Sequence, residues 1–254
     1  MAMRPIGITA LMLGAASVVA MTGMAHAAEI KVLSSTAIKE PFVELVPGFE
    51  RSTGNKVVVM WAGTVDVLKR LQSGEVVDLV ILSGPAIDDL IKQGTVVPGS
   101  RVDLVKSGVG LAVRSGSPKP DISTVDALKR ALLAAKSIAY STGPSGVYLT
   151  GLFQRMGIAD ELKAKMKIPP SGTPIGELIA RGEAEIGFQQ VSELLPVAGI
   201  DYIGPLPAEV QSITVFSGGI HRGATQPDAA KALVKFITSP EAVPVIKKKG
   251  MEPG

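Results

Sequence analysis

Four short stretches carry residue types that could hold an anion: Ser34-Ser35-Thr36-Ala37, Gly63-Thr64, Thr142-Gly143-Pro144-Ser145-Gly146 and Ser171-Gly172-Thr173. Each puts hydroxyls and sterically open backbone N–H groups at the start of a helix. There the orphan N–H donors and the helix dipole favour negative charge. None of the four contains Lys or Arg. Such a site would hold an anion by neutral donors, at short range and with geometric selectivity. Ser, Thr and Gly are also ordinary caps, which every helix needs; recurrence at four junctions is what points beyond capping. In open α/β sheets, ligands bind at such carboxyl ends of strands.

Other chemistry is restricted by composition. The chain has no Cys and two His, of which His26 lies in an apolar leader, leaving His221. A thiolate nucleophile and a multi-His metal site are therefore excluded, and no metal or cofactor is expected. His221 lies in Ser217-Gly218-Gly219-Ile220-His221-Arg222-Gly223, a turn-like setting that reads as a solvated loop. A general base, if one is needed, would come from Lys39, Glu40, Asp66 or Tyr148, none of which carries a signature. Asp78 interrupts an apolar strand and is read as a strand-edge or cap partner, and Trp61 as a core residue.

The elements that must position these loops follow from hydrophobic periodicity. Short apolar strands alternate with amphipathic helices, which argues for an α/β fold with largely parallel sheets. Ile30 to Leu33, Lys56 to Trp61 and Val76 to Leu82 read as strands, each followed by a helix. The first helix carries Phe42, Leu45, Val46 and Phe49 on one face, but Pro47 inside it should kink it. Beyond Arg114-Ser115-Gly116-Ser117-Pro118 the pattern restarts. Ser123 caps a helix, Ser137 to Tyr140 and Gly187 to Gln190 are strands, and Thr173 caps a helix with Pro174 in its first turn. A helix from Pro227 and a short basic one with Lys247, Lys248 and Lys249 close the chain.

Two long β runs, Leu104 to Val113 and Gln211 to Phe216, flank the second set of units, so the chain is expected to cross over and return. Lobe I is expected over residues 28–104 plus 217–254, lobe II over 114–211, and the hinge crossovers over 105–113 and 212–216. A ligand between the lobes could be enclosed by hinge closure.

The 254 residues are 46% hydrophobic and 19% charged, the profile of a globular protein. A net charge of +3 with 4% aromatic residues gives no basic groove with stacking platforms, so nucleic acid is not an expected partner. Residues 1–27 read as a signal peptide: Arg4, an apolar run from Ile6 to Ala20, then Ala25-His26-Ala27, with cleavage after Ala27. The product is expected to be periplasmic, monomeric and held by burial alone, without disulfides.

Val32-Leu33-Ser34-Ser35-Thr36-Ala37, Trp61-Ala62-Gly63-Thr64, Val77 to Ser83, Pro144-Ser145-Gly146-Val147-Tyr148 and Arg181 to Gly187 occur in a familiar order. They resemble the periplasmic molybdate-binding-like solute-binding proteins of ABC importers, over nearly the whole chain after the leader. The resemblance implies a two-lobed type II periplasmic-binding fold that presents a small anion to a membrane permease and ATPase. It places the family's first-loop serine at Ala37, or at Ser35 or Thr36 if the loop shifts. It places the second-loop hydroxyl at Thr64, the donor before glycine at Ser145 with Gly146 behind it, the next donor near Thr173 to Ile175, and the fourth-strand tyrosine at Gln190. Gly63 belongs to the same constellation. Ala37 and Gln190 replace hydroxyl donors, which makes a carboxylate as credible as a tetrahedral oxyanion; the Gln190 amide would suit a carboxyl group. The leading expectation is a solute-binding protein. The alternative is an isomerase on the same scaffold, because relatives of this family include aconitate isomerase.

Overall fold

The structure, a computed structural model, describes residues 27–254. The expected leader, up to His26, lies outside the described residues. Ten strands form one continuous sheet: β1 (Glu29–Ser35), β2 (Lys56–Ala62), β3 (Leu79–Ser83), β4 (Val102–Arg114), β5 (Ile138–Tyr140), β6 (Met166–Lys167), β7 (Ile186–Gln190), β8 (Ile200–Pro205), β9 (Ile213–Ile220) and β10 (Glu252–Pro253). Their order is β2-β1-β3-β9-β4-β7-β5-β6, with β8 and β10 also paired to β4.

β4 links two halves of this sheet. Its first part, Val102–Gly108, pairs antiparallel with β9, and its second, Val109–Val113, with β7. On one side β1 lies parallel to β2 and β3; on the other β5 lies parallel to β6 and β7. The second passage of the chain between the halves runs from β8 to β9, where Ile213 pairs with Gly108.

Alternation along the strands feeds helices on both faces. Ile30 and Val32 of β1 and Leu79 and Ile81 of β3 pack with Phe42, Leu45 and Phe49 of the helix Lys39–Thr53, and with Leu233 and Ile237 of the helix Pro227–Ile237. Leu33, Val80 and Leu82 face the opposite way, against Val67, Leu71, Ile87 and Leu90. In the other half, Leu111, Val113, Ile138 and Phe188 bury against Leu128, Leu132 and Phe153, and Ala112 and Ala139 against Ile175 and Ile179. Strands covered on both faces are therefore near-continuously apolar.

Local expectations fail in three places, and the helix Lys39–Thr53 is continuous through Pro47. Pro47 is on its exposed side, where the carbonyl it leaves unbonded is open to water. Thr124, not Ser123, caps the helix Val125–Ala134, accepting from Ala127 N–H at 3.1 Å; the Asp121 carboxylate instead holds the Ser123 N–H at 2.9 Å in the preceding turn. Pro174 rather than Thr173 precedes the helix Ile175–Ala180, because the Thr173 N–H closes a turn onto the Pro170 carbonyl. Val76 to Asp78 precede β3 instead of opening it.

Trp61 is half-buried and packs edge-on against Phe42 at the border of the core, with ring centroids 5.6 Å apart. Among the described residues, no helix is long and apolar enough to cross a membrane.

Candidate anion-binding site

Strand ends from both halves of the sheet converge on one small cavity. Ser35, Thr36 and Ala37 reach it from the end of β1, and Gly63 and Thr64 from the end of β2. From the other half come Ser145 at the start of the helix Pro144–Arg155, Thr173, and Gln190 at the end of β7. Gly146 does not line it. A Cβ there would overlap the Ser141 carbonyl oxygen, so Gly146 is the residue that lets its helix start tightly against the end of β5.

The helices Thr64–Gln72 and Pro144–Arg155 begin at Gly63 and Gly143 with no side-chain cap. Their first-turn N–H groups are thus available to an anion. The helix Ile175–Ala180 differs, since the Ile175 N–H donates to Gln189 Oε1 at 2.9 Å. Gln190 also departs from expectation. With its oxygen accepting from Thr214 Oγ1 at 3.0 Å, its amide nitrogen donates to the carbonyls of Ser107 and Gly108, at 3.1 and 3.2 Å. The amide is engaged by β4 and β9, so Gln190 shapes the cavity wall without offering a free amide.

The cavity is about 20 Å³, room for one or two waters, and it is closed by loops that meet across it. A Cβ on Gly63 would overlap Ser171 Oγ and the Gly172 backbone nitrogen. Two hydrogen bonds also span the halves: Ser192 Oγ donates to the Ala37 carbonyl and Thr36 Oγ1 to Glu193 Oε1, each at 2.8 Å. A groove of about 160 Å³ adjoins on one side, sharing Thr36, Gln189 and Glu193, and one of about 720 Å³ on the other, sharing Thr64, Thr142 and Gly143.

The sequence matches the model of bacterial extracellular solute-binding proteins over residues 30–252. The chain belongs to this family. It is 41% identical over 230 residues to a protein named aconitate isomerase from Pseudomonas sp, covering 88% of this chain and 87% of that protein. It is 27% identical over 235 residues to the molybdate-binding protein ModA of Azotobacter vinelandii, covering 89% and 90%. The solved periplasmic molybdate-binding protein of Azotobacter vinelandii superposes with a TM-score of 0.75 at 21% identity, over 89% of this chain and 99% of that one. The fold is thus the type II periplasmic-binding fold that the motifs implied.

One feature of this solute-binding protein was not legible in its sequence. Among the described residues, Glu193 is the only acidic or basic one lining the cavity, on the short helix Val191–Leu194 that follows β7. Part of the residue meets solvent, yet the carboxyl itself is deeply enclosed, and burial pushes its pKa up to about 7. Hydrogen bonds from Thr36, the Gln189 side chain and the Gln190 N–H oppose the shift by favouring the ionised form. The only sequence signal is its position three residues after Gln190, where an acid can reach back to the N–H of the residue preceding the helix.

This shift has a consequence for stability. Below pH 4.5 the group is protonated folded or unfolded. As pH rises towards 7, the unfolded chain releases the proton while the folded one keeps it, so stability falls, by roughly 3 kcal/mol in all, and then levels. Urea denaturation from pH 4.5 to 8 should show this decline in the wild type and a flatter profile in Glu193→Gln. Identical profiles would contradict the assignment.

The other acid–base candidates sit differently. Lys39 and Glu40 line the 160 Å³ groove, and Lys249 lies 3.8 Å from the Glu40 carboxylate. Asp66 is in the first turn of Thr64–Gln72 and does not line the cavity. Tyr148 lines the larger groove, with its hydroxyl donating to the Val210 carbonyl at 2.7 Å. His221 is buried rather than solvated, because the chain after β9 bridges to Val96. Its Nδ1 accepts from the Gly223 N–H at 3.0 Å, and burial lowers its pKa despite nearby Asp78.

Proposed function

We propose that this protein is exported to the periplasm, where it encloses a small carboxylate anion between two lobes and presents it to the permease and ATPase of an ABC importer. The observation that carries this reading is the convergence of Thr64, Ser145 and Thr173, with two uncapped helix N-termini, on a cavity that no Lys or Arg lines among the described residues. The small cavity would take the carboxylate head, and the adjoining grooves leave space for the rest of a larger acid. Ala37 offers no hydroxyl, which removes one donor that a tetrahedral oxyanion would use, while the Gln190 amide is engaged elsewhere and serves neither kind of anion. The lobes of this reading are residues 28–104 plus 217–254 and residues 114–211.

A second reading is favoured by Glu193 and by the 41% identity to a protein named aconitate isomerase: the bound carboxylate is also isomerised.

Thermal unfolding with cis- and trans-aconitate, citrate, molybdate and sulfate tests the binding claim. A carboxylate present at 100 times its Kd should add about 2.7 kcal/mol of stability. Thr64→Val and Ser145→Pro should each lower affinity about tenfold or more, and Ser171→Ala should leave it unchanged. Stabilisation by molybdate or sulfate alone would overturn the carboxylate assignment. Equal, negligible effects of the three substitutions would overturn the site.

A further inference from the structure

We propose that Glu193 is a catalytic residue, the one that carries a proton between two carbons of an unsaturated carboxylate bound in this cavity. The proposal rests on the carboxylate reading above and deepens it. It starts from placement. Glu193 stands on the partition between the donor-lined cavity and the 160 Å³ groove, lining both. A substrate whose carboxylate head occupies the cavity would lay its next carbons along that partition. The Thr36 hydroxyl, from the opposite half, holds one carboxyl oxygen at 2.8 Å.

Glu193 accepts from Thr36 and from the Gln190 N–H, which ties the halves and the helix start together, but in a pocket that only captures anions it also repels the ligand whenever it is ionised. It is better suited to proton transfer, for which a base needs a pKa near the working pH and a position beside the acidic C–H. The groups facing it are few. Gln189 and Gln190 are neutral, Thr36 donates, and Lys39 and Glu40 lie along the groove, with Lys249 beside Glu40. Among the described residues, no second base lines the cavity.

The step balances without a cofactor. The ionised Glu193 oxygen takes a proton from a CH₂ carbon that lies beside the C=C bond and bears a carboxyl group. The C–H electron pair becomes the new double bond, and the former π pair moves to the far carbon. That carbon then takes the proton back from the Glu193 carboxylic acid. The negative charge that builds on the substrate carboxyl in between meets the first-turn N–H groups of Thr64–Gln72 and Pro144–Arg155, in the manner of an oxyanion hole.

The experiment is proton NMR of the purified protein with trans-aconitate in D₂O, following cis-aconitate formation and deuterium entry at carbon, alongside thermal shift for binding. Wild type should both isomerise and exchange. Glu193→Gln should slow both at least 100-fold while the ligand still raises its melting temperature. Thr36 acts through Glu193 as a positioning residue. Thr36→Val removes a donor that favours the ionised carboxylate, so the rising limb of the pH–rate profile should move to higher pH. Binding by the wild type without isomerisation or exchange would overturn the proposal while leaving the carboxylate reading intact. Turnover by Glu193→Gln within threefold of wild type would also overturn it. Wild type that neither binds nor exchanges would overturn both.

Discussion

Replacing Asp78 by alanine should lower the unfolding free energy by about 3–5 kcal/mol, because its carboxylate accepts four hydrogen bonds and one to a charged group is worth about 1.5–3 kcal/mol. Asp78 is 1% exposed and both its oxygens are fully engaged. Oδ2 accepts from the Lys31 N–H of β1 at 2.8 Å. Oδ1 accepts from the Thr225 and Gln226 N–H groups, both at 2.8 Å, and from the Thr225 hydroxyl at 3.2 Å. Gln226 is the residue preceding the helix Pro227–Ile237, so a side chain 148 positions earlier caps that helix and ties it to the sheet. Alanine would take away the acceptor that holds these donors to the sheet. Asparagine should also destabilise, by about 1–3 kcal/mol, because its NH₂ must face N–H donors on one side. Urea denaturation of the three proteins measures this, and a loss below 1 kcal/mol for Asp78→Ala would refute it.

Gly63→Ala should abolish tight ligand binding while leaving the free protein folded. The added methyl would occupy the space of Ser171 Oγ and the Gly172 backbone nitrogen, across the mouth of the cavity. A side chain could rotate away; a backbone nitrogen cannot, so the two loops must separate. Gly63 has φ −68°, a conformation open to any residue, so alanine meets no backbone strain there. The obstacle is purely the close approach. Affinity for trans-aconitate should drop about 10- to 100-fold by titration calorimetry, with the melting temperature of the unliganded protein shifted by no more than a few degrees. Unchanged affinity would mean that the ligand does not need these loops in contact.

The two residues show why parts of the protein were legible and parts were not. Asp78 stood out in the sequence because a charge inside an apolar run must find partners, but its partners lie at Lys31 and Thr225, which no local pattern connects. Gly63 was legible as a turn residue ahead of a helix; its closeness to Gly172 arises only when two halves of the sheet face each other. His221 was misread for the same reason, since the bridge to Val96 that buries it joins residues far apart in the chain.

Alternation of apolar strands with amphipathic helices determined the α/β class, and strand-to-helix junctions rich in Ser, Thr and Gly determined which loops offer donors. Both are properties of neighbouring residues, set by backbone geometry over a few positions. Only the tertiary structure decided which donors share one cavity, that the Gln190 amide is held by Ser107, Gly108 and Thr214, and that Glu193 is the one acidic or basic residue lining it among those described. Burial depends on what packs from elsewhere in the chain, and a carboxyl becomes a proton carrier near neutral pH only when that packing takes it out of water.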